Sequence, residues 1–230
     1  MGVTTYHTPD RRHSTEDGDS PVDKRGATVA TTAQKKPFAL KVRIPGWVKG
    51  DVVPSDLYSY ADGKNLGYSI LVNGQETDGT LTEDGYFTIE RKWVKGDCIS
   101  VHFDMEPRVV KANSKVEADA GRIAVERGPV VYCAEWPDND FSVRSMIVNQ
   151  KPEFKVFHSE DLHGIDKIST DAQALSFDGS GRLAAKDVTL TLIPYYAWCH
   201  RGSGEMTVWM PQQLNAVNLD TKIPGRRTRD

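Results

Sequence analysis

The chain has 230 residues, of which 38% are hydrophobic and 27% are charged, and its formal net charge is -3. That length suffices for one large domain or two smaller ones, each with a buried core. The near balance of 29 basic and 32 acidic residues argues against a nucleic-acid partner. No run reaches the roughly 18 apolar residues of a membrane helix, and three cysteines are too few for a disulfide scaffold.

The two ends of the chain differ in composition from its middle. Residues 1–36 carry many charges and only scattered apolar side chains, so this segment cannot bury enough surface to offset its chain entropy. We expect a disordered arm over 1–36 and a flexible tail over 212–230. The N-terminus lacks the apolar run of a secretory signal. We therefore expect no signal peptide on this chain, and the compartment stays open.

Between these ends, apolar residues recur with a period of two. The alternation is clearest at residues 38–44, 99–105 and 189–192, and it is typical of antiparallel strands with one buried face. Asn73-Gly74 and Asp84-Gly85 are hairpin turn signals beside such runs. No amphipathic pattern of ten or more residues predicts a helix. The sequence therefore predicts an all-β fold of one or two antiparallel β-sandwich domains, jelly-roll-like, with disordered termini.

A polar, proline-containing stretch at residues 136–140 follows an apolar run and predicts a domain boundary. We expect a first β-sandwich domain over 37–136 and a second over 137–211. Within the first, Trp47 follows a Pro-Gly pair and Trp93 precedes a Gly-Asp turn, so both are expected to be mostly buried. Arg127-Gly128-Pro129 is expected to form a structural corner in which the arginine binds a carboxylate or a backbone carbonyl.

Catalytic patterns are weak along the chain. Cys98, Cys133 and Cys199 show no C-x-x-C spacing, so they give no local support for a zinc site. Glycosidases use pairs of carboxylates. With 32 acidic residues in the sequence, however, neighbouring acidic residues are expected by chance. Glu126-Arg127 is better explained by a structural ion-pair network. We therefore predict no catalytic, cofactor-binding or metal-binding residues. No phosphate loop or dinucleotide fingerprint occurs.

One aromatic cluster stands out. Tyr195-Tyr196-Ala197-Trp198 places three aromatic residues within four positions, and on a strand these would occupy both faces. At least one should then point away from its own core. Tyr195, Tyr196 and Trp198 are our candidates for sugar binding or for a domain interface.

Four motifs in series resemble the C-terminal region of glycoside hydrolase family 127, the β-L-arabinofuranosidase-like enzymes. The motifs are LKVRIPGW at residues 40–47 followed by VNG at 72–74, GYFTIERKW at 85–93, GRIAVERGPVVY at 121–132, and IPYYAW at 193–198 followed by MTVW at 206–209. The resemblance covers residues 37–211 and is expected to end upstream of Phe38.

The resemblance implies β-sandwich domains that accompany an (α/α)6 catalytic barrel. In that family the barrel holds a zinc ion and a cysteine nucleophile, on ligands that include a Cys-Cys pair. This sequence has no Cys-Cys pair, so no cofactor is expected in this chain. The expected partners are the catalytic barrel of the same enzyme, a second copy in a homodimer, or a plant oligosaccharide, with no nucleic acid and no membrane. An intact family member could be exported.

The resemblance thus predicts a non-catalytic portion of an enzyme that acts on arabinofuranosides or related plant glycans. Two alternatives stay open. In the first alternative the chain is a free-standing carbohydrate-binding module. In the second it is a structural or oligomerisation module.

Overall fold

The structure is a computed structural model that describes residues 25–30 and 37–219. The disordered arm expected over 1–36 lies outside the described residues, except at 25–30. There the expectation is wrong, because Arg25–Ala30 forms a strand that pairs along its length with Cys98–Phe103. In the expected tail, residues 220–230 lie outside the described residues. Residues 212–219 are held in place: the Gln212 N–H, for example, donates to the Gly121 carbonyl at 2.8 Å.

The described residues are almost entirely β-strands and turns, which confirms the all-β prediction. The strands are β1 (Arg25–Ala30), β2 (Phe38–Arg43), β3 (Tyr58–Tyr60), β4 (Tyr68–Val72), β5 (Gln75–Glu76), β6 (Thr80–Leu81), β7 (Tyr86–Arg91), β8 (Cys98–Phe103), β9 (Pro107–Ala112), β10 (Arg122–Arg127), β11 (Val130–Glu135), β12 (Met146–Val148), β13 (Lys155–Ser159), β14 (Ile165–Phe177), β15 (Leu183–Pro194), β16 (Met206–Thr207) and β17 (Met210–Pro211).

The helical segments are all short 3-10 turns, at Gly46–Lys49, Glu117–Asp119, Trp136–Asp138, Asp161–His163, Tyr195–Ala197 and Leu214–Ala216. No helix among the described residues is long and apolar enough to cross a membrane.

The chain divides into two compact units. Unit 1 comprises the chain up to Pro54 together with Gly63–Glu106, and unit 2 comprises Ser55–Asp62 together with the chain from Pro107 onward. The division therefore lies between residues 106 and 107 instead of between 136 and 137. The polar stretch at 136–140 belongs to unit 2, because the Asn139 side chain bonds both the N–H and the carbonyl of Thr191 in β15.

Unit 1 is a sandwich of two antiparallel sheets, with strand orders β1-β8-β4-β5 and β2-β7-β6. Alternating residues of both sheets meet in one core, where Ile89 of β7 packs with Ile70 and Val101 of β4 and β8. Trp93 lies wholly inside this core, and its Nε1 donates to the Phe38 carbonyl at 3.0 Å. The prediction of burial is thus confirmed for Trp93. Trp47 is half-buried, and its ring packs edge-on against Phe103.

Unit 2 is built on one large antiparallel sheet. Its main path runs β12-β14-β15-β11-β10-β9-β3, while β13 pairs with β14, β16 with β11 and β17 with β10. The long strands β14 and β15 are its spine, in register from Ile168↔Leu192 to Phe177↔Leu183. Leu192 lies in the larger core of this unit and its neighbour Ile193 in a smaller one, as the two-residue period requires for a sheet covered on both faces.

The corner predicted at Arg127-Gly128-Pro129 is the tight turn between β10 and β11. Arg127 pairs with Val130, so the connection has two residues. Gly128 has φ +58°, and Pro129 has a ring that fixes φ near -65°. This combination requires a type II′ turn, which has its positive φ at the first position. The Arg127 guanidinium binds the Asp166 carboxylate at 3.3 Å, which confirms the predicted charge-assisted bond.

Candidate functional site

The three candidate aromatic residues lie on a 3-10 turn at the end of β15. The strand ends at Pro194, and Tyr195–Ala197 form the turn, so the expectation of a strand here is wrong. All three side chains are nonetheless exposed, by 44% for Tyr195, 65% for Tyr196 and 37% for Trp198. The rings of Tyr195 and Trp198 stack on each other with centroids 5.9 Å apart. We call these three residues the aromatic turn.

A group of buried ionic contacts holds the loop that follows the aromatic turn. The Arg201 guanidinium bonds the Glu135 carboxylate at 2.5 Å and both carboxylate oxygens of Asp138. The second oxygen of Glu135 accepts the Cys199 N–H at 3.0 Å. Because Glu135 is fully buried at the end of β11, the sheet fixes the position of this loop and thus of Trp198.

Lys167 of β14 completes the ionic group. Its Nζ bonds Asp138 at 2.8 Å and Asp161 at 2.7 Å. Burial alone would raise the pKa of Asp138, but hydrogen bonds from Arg201 and Lys167 outweigh it and hold that pKa below its usual value. For Lys167, burial works against the charged form, and the two carboxylates raise its pKa overall. Asp138 and Lys167 are thus charged at neutral pH. We call Glu135, Asp138, Asp161, Lys167 and Arg201 the ionic clamp.

A close backbone approach also shapes the loop. A Cβ added at Gly204 would lie 1.9 Å from the Trp136 ring, so only glycine lets the loop lie flat on that indole. The backbone N–H of Trp136 donates to the Glu205 carbonyl at 3.0 Å. Glycine is therefore required here by contact with the ring.

A second polar row lies beside the start of the aromatic turn. Asp166 of β14 bonds Arg127 at 3.3 Å and His158 of β13 at 3.1 Å. The Tyr132 hydroxyl donates to the Asp166 carbonyl at 3.1 Å. Tyr132 pairs across the sheet with Pro194, the residue before the aromatic turn. Polar groups and exposed aromatic rings therefore share this end of the sheet.

A third polar group joins β3 to β9 and β10. The Tyr60 hydroxyl donates to Glu126 at 2.7 Å, and Arg108 makes a two-point bond with Asp62, at 3.0 and 2.6 Å. The Arg108 guanidinium lies 3.5 Å from the centre of the Tyr60 ring. Burial raises the pKa of Glu126, against the opposing effect of the Tyr60 hydrogen bond. The Glu126 carboxylate thus joins β10 to β3 through the Tyr60 hydroxyl, and its place in an ion-pair network stays a prediction.

The cysteines occupy unlike surroundings. Cys133 is buried in the smaller core of unit 2, and burial, reinforced by the nearby Glu135 and Asp138, raises its pKa to about 12. Cys199 is exposed, and Cys98 is intermediate. Over residues 25–30 and 37–219, no three His, Cys, Asp or Glu side chains are grouped so as to hold a metal ion.

The sequence pattern identified the aromatic turn but missed the ionic clamp. Its members come from three stretches that are distant in sequence, 135–138, 161–167 and 201, and no local spacing joins the three. Two signals were present: Glu135 directly follows the apolar run at 130–134, and Lys167 has the same strand parity as the buried Ile165. Charged residues at positions where the period predicts a buried side chain usually have a partner.

Two family models match the chain. The model of the GH127 middle domain, described as beta-L-arabinofuranosidase, matches residues 13–105, and the model of the glycoside hydrolase family 127 C-terminal domain matches residues 107–211. The chain belongs to glycoside hydrolase family 127. Its two matched domains meet where the two compact units divide. Because the middle-domain match begins at residue 13, the expectation that the family resemblance ends upstream of Phe38 is wrong.

Three similar proteins are much longer than the matched region. The Bifidobacterium longum subsp. longum protein named non-reducing end β-L-arabinofuranosidase is 33% identical over 183 residues, which cover 73% of this chain and 25% of that protein. A solved family 127 β-arabinofuranosidase is 55% identical, with a TM-score of 0.79, over 88% of this chain and 32% of its own.

A second solved relative, a family 127 β-L-arabinofuranosidase from Geobacillus stearothermophilus T6, is 29% identical with a TM-score of 0.67. The match covers 85% of this chain and 29% of that one. The chain thus spans between 25% and 32% of these three relatives.

Proposed function

We propose that this chain is the non-catalytic β-sandwich portion of a family 127 β-L-arabinofuranosidase and that it supports the catalytic domain of such an enzyme. The observation that carries the proposal is the consecutive match of a middle and a C-terminal family domain to residues 13–105 and 107–211. The relatives named for the activity have more than two thirds of their length outside the match. The catalytic groups belong to that remainder.

The chemistry of the described residues agrees with a non-catalytic role for this chain. A thiolate nucleophile must be deprotonated at working pH, whereas the Cys133 thiol, with its pKa of about 12, stays protonated. The carboxylates of the ionic clamp are bonded to Arg201 and Lys167, so they hold the loop in place. The substrates, arabinofuranosides or related ends of plant glycans, are then bound by the complete enzyme.

The aromatic turn is the proposed contact with the catalytic domain. The aromatic turn exposes three large rings at one end of the sheet, those of Tyr195, Tyr196 and Trp198. Burying their apolar surface against another domain would stabilise the contact by several kcal/mol, at about 25 cal/mol per Å². The ionic clamp holds the loop in position before docking, which lowers the entropy cost of ordering it.

A chimeric enzyme tests this proposal. Residues 13–211 of this chain replace the matching region of the 55% identical β-arabinofuranosidase, and hydrolysis of an aryl β-L-arabinofuranoside is measured. We expect the chimera to be active and the 230-residue chain alone to be inactive. Turnover by the chain alone, or an inactive chimera that folds and melts cooperatively, would overturn the proposal.

The role of the aromatic turn is tested in the same chimera. Replacing Tyr195 and Trp198 with Ala should lower the melting temperature of the catalytic domain, because the interface loses its rings. Leu81→Ala is the matched control, since Leu81 is similarly exposed at 43% but lies in unit 1. Equal effects of the two variants would exclude a specific contact at the aromatic turn.

A carbohydrate-binding module is the second candidate, favoured by the stacked Tyr195–Trp198 pair beside the polar row of Arg127, Asp166 and His158. Sugar rings stack on exposed aromatic faces while polar side chains bond their hydroxyls. Titration of the chain's tryptophan fluorescence with arabinose oligosaccharides distinguishes the two roles. Saturable binding that Trp198→Ala abolishes would favour the binding module, and the supporting role predicts no such binding.

A further inference from the structure

The outer face of unit 1 carries a cluster of positive charges. Lys41 and Arg43 are exposed on β2, in alternation with residues that pack into the core. Arg43 stands directly opposite Tyr86 of β7 in the ladder, and its Cζ lies 5.3 Å from the centre of the Tyr86 ring. The Lys41 Nζ lies 6.0 Å from the centre of the same ring. Two cations therefore share one aromatic ring, at the range of a cation–π contact.

Lys49 adds a third positive charge from the 3-10 turn that follows β2. Its Nζ lies 3.2 Å from the position of a Cβ added at Gly85, and the Arg43 Cζ lies 3.8 Å from the same position. Gly85 is buried and Lys49 is half-buried, so the ammonium group and the guanidinium converge on this turn. We call Lys41, Arg43, Lys49 and Tyr86 the cationic cluster.

The positive charges of the cationic cluster have no carboxylate partner in the part of the chain that the structure describes. None of the three is in an ion pair with a carboxylate of residues 25–30 or 37–219. The Arg43 Nη1 donates to the Asp84 carbonyl at 3.3 Å, which leaves most donors of the guanidinium and both ammonium groups open. Like charges held close together repel each other. An anion bound between Arg43 and Lys49 would offset that repulsion.

Polar groups beside the cationic cluster favour a sugar as the carrier of the anion. Asp84 lies at its border: a hydrogen bond from Thr82 lowers the pKa of that carboxyl, and the positive charges of Lys41 and Arg43 lower it further. Asp84 is therefore ionised at neutral pH and can accept hydrogen bonds from sugar hydroxyls. Its negative charge disfavours a doubly charged phosphate more than a singly charged carboxylate. The half-buried Tyr86 ring gives an apolar surface beside these charges.

We propose that the cationic cluster binds the carboxylate of an acidic sugar, a uronic acid residue of a glycan. Arg43 holds the carboxylate through paired N–H donors, and Lys49 bonds it from the other side of Gly85. Tyr86 keeps the two cations of β2 in place. The choice of a glycan rests on the proposed function, whereas the site uses unit 1 alone and does not involve the aromatic turn. Unit 1 thereby retains acidic stretches of the glycan whose ends the complete enzyme hydrolyses.

Titration calorimetry of the 230-residue chain with trigalacturonate tests the binding. We expect saturable binding of this trimer and none of its methyl ester, which lacks the negative charges. Arg43→Gln and Lys49→Gln should each raise the dissociation constant about threefold to tenfold, because each removes a charge-assisted hydrogen bond at an accessible site. Lys111→Gln is the matched control, since it removes an equal charge from an exposed position of unit 2. Equal weakening by Lys111→Gln would show unspecific charge attraction and overturn the proposal.

Amide chemical shifts locate the site. When trigalacturonate is added to the isotopically labelled chain, the signals of residues 41–49 and 84–86 should move and those of residues 195–198 should stay in place. Movement confined to residues 195–198 overturns the proposal, and so does binding of inorganic phosphate that is as tight as binding of monomeric galacturonate. A chain that binds no trigalacturonate also overturns it. That result would leave the activity of the chimeric enzyme unchanged, so it is distinct from a failure of the proposed function.

Discussion

At the scale of single residues, we expect the largest losses of stability where a buried side chain fills a volume and makes a hydrogen bond that no neighbouring side chain can replace. Trp93 is the clearest case in unit 1: it is fully buried, its indole N–H bonds the Phe38 carbonyl at 3.0 Å, and the Arg91 guanidinium lies 5.2 Å from its ring. Trp93→Ala should lower the free energy of unfolding by about 3–5 kcal/mol, because it leaves a cavity and an orphaned carbonyl.

Urea denaturation measures this loss. The neighbouring Val94→Ala serves as the control, since Val94 is 52% exposed and its truncation should change stability by about 0.5 kcal/mol or less. If Trp93→Ala also changes the free energy of unfolding by only about 0.5 kcal/mol, the indole does not organise the core of unit 1.

Asp138 gives the ionic clamp a defined pH dependence. Hydrogen bonds from Arg201 and Lys167 lower its pKa in the folded protein, even though burial opposes them. A lowered folded pKa contributes stability above the unfolded value, near 3.9, and that contribution is lost as the pH falls through the folded pKa. Asp138→Asn should therefore reduce stability at neutral pH and flatten its decline below pH of about 4.

The measurement is the free energy of unfolding of both proteins across the acidic range. Asp56→Asn is the control, because Asp56 is an exposed carboxylate whose contact with Lys115 spans 3.7 Å and whose pairing should contribute little. Parallel stability curves for Asp138→Asn and the unaltered chain would contradict the assigned role.

At the scale of elements, the loop after the aromatic turn depends on one glycine. A Cβ at Gly204 would meet the Trp136 ring at 1.9 Å, so Gly204→Ala must displace either the loop or the indole. We expect a loss of about 1–3 kcal/mol, in line with overpacking elsewhere, together with a changed near-ultraviolet circular dichroism of Trp136. Gly179→Ala, at a position with nothing within 4 Å, should be close to neutral. A similar response of the two variants would mean that the contact with Trp136 does not constrain the loop.

The elements differ in how far local sequence determined them. Alternation in β2, β8 and the second half of β15 predicted strands, and the burial pattern of β2 alternates along its whole length. The same reasoning was wrong for Tyr195–Ala197. The hydrogen-bonded ladder of β15 ends at Pro194, so these residues form a turn. An apolar run by itself does not show where a ladder ends.

The candidate site was predictable in part for a related reason. The aromatic turn is a local cluster and was recognisable as such. Glu135 and Arg201 are 66 residues apart, and their contact depends on the pairing of β11 with β16 beside the loop. Sequence spacing carries no record of such a pairing. The domain boundary was misplaced for the same cause, because the polar residue Asn139 extends the edge of β15.

At the scale of the whole molecule, the order of residues along the chain and the two compact units do not coincide. The segment Ser55–Asp62 lies inside the region matched by the middle-domain model, yet it belongs to unit 2. Its strand β3 pairs with β9 at Tyr58↔Ala112 and Tyr60↔Val110. The chain leaves unit 1, adds an edge strand to the sheet of unit 2, and returns. A cut at the boundary between the two family models would therefore deprive unit 2 of its last strand.

The last prediction concerns this excursion. Asp62→Ala removes the two-point partner of Arg108, whose side chain is only 2% exposed. It should destabilise unit 2 by about 1–3 kcal/mol, because the buried guanidinium loses the two hydrogen bonds that Asp62 accepts. Hydrogen exchange should then quicken in β9 and β10 and stay unchanged in β2 and β7 of unit 1. Asp56→Ala, in the same segment but exposed by 76%, should leave both patterns unaltered. If Asp62→Ala instead speeds exchange in β2 and β7 while β9 stays protected, the segment Ser55–Asp62 stabilises unit 1 and not unit 2.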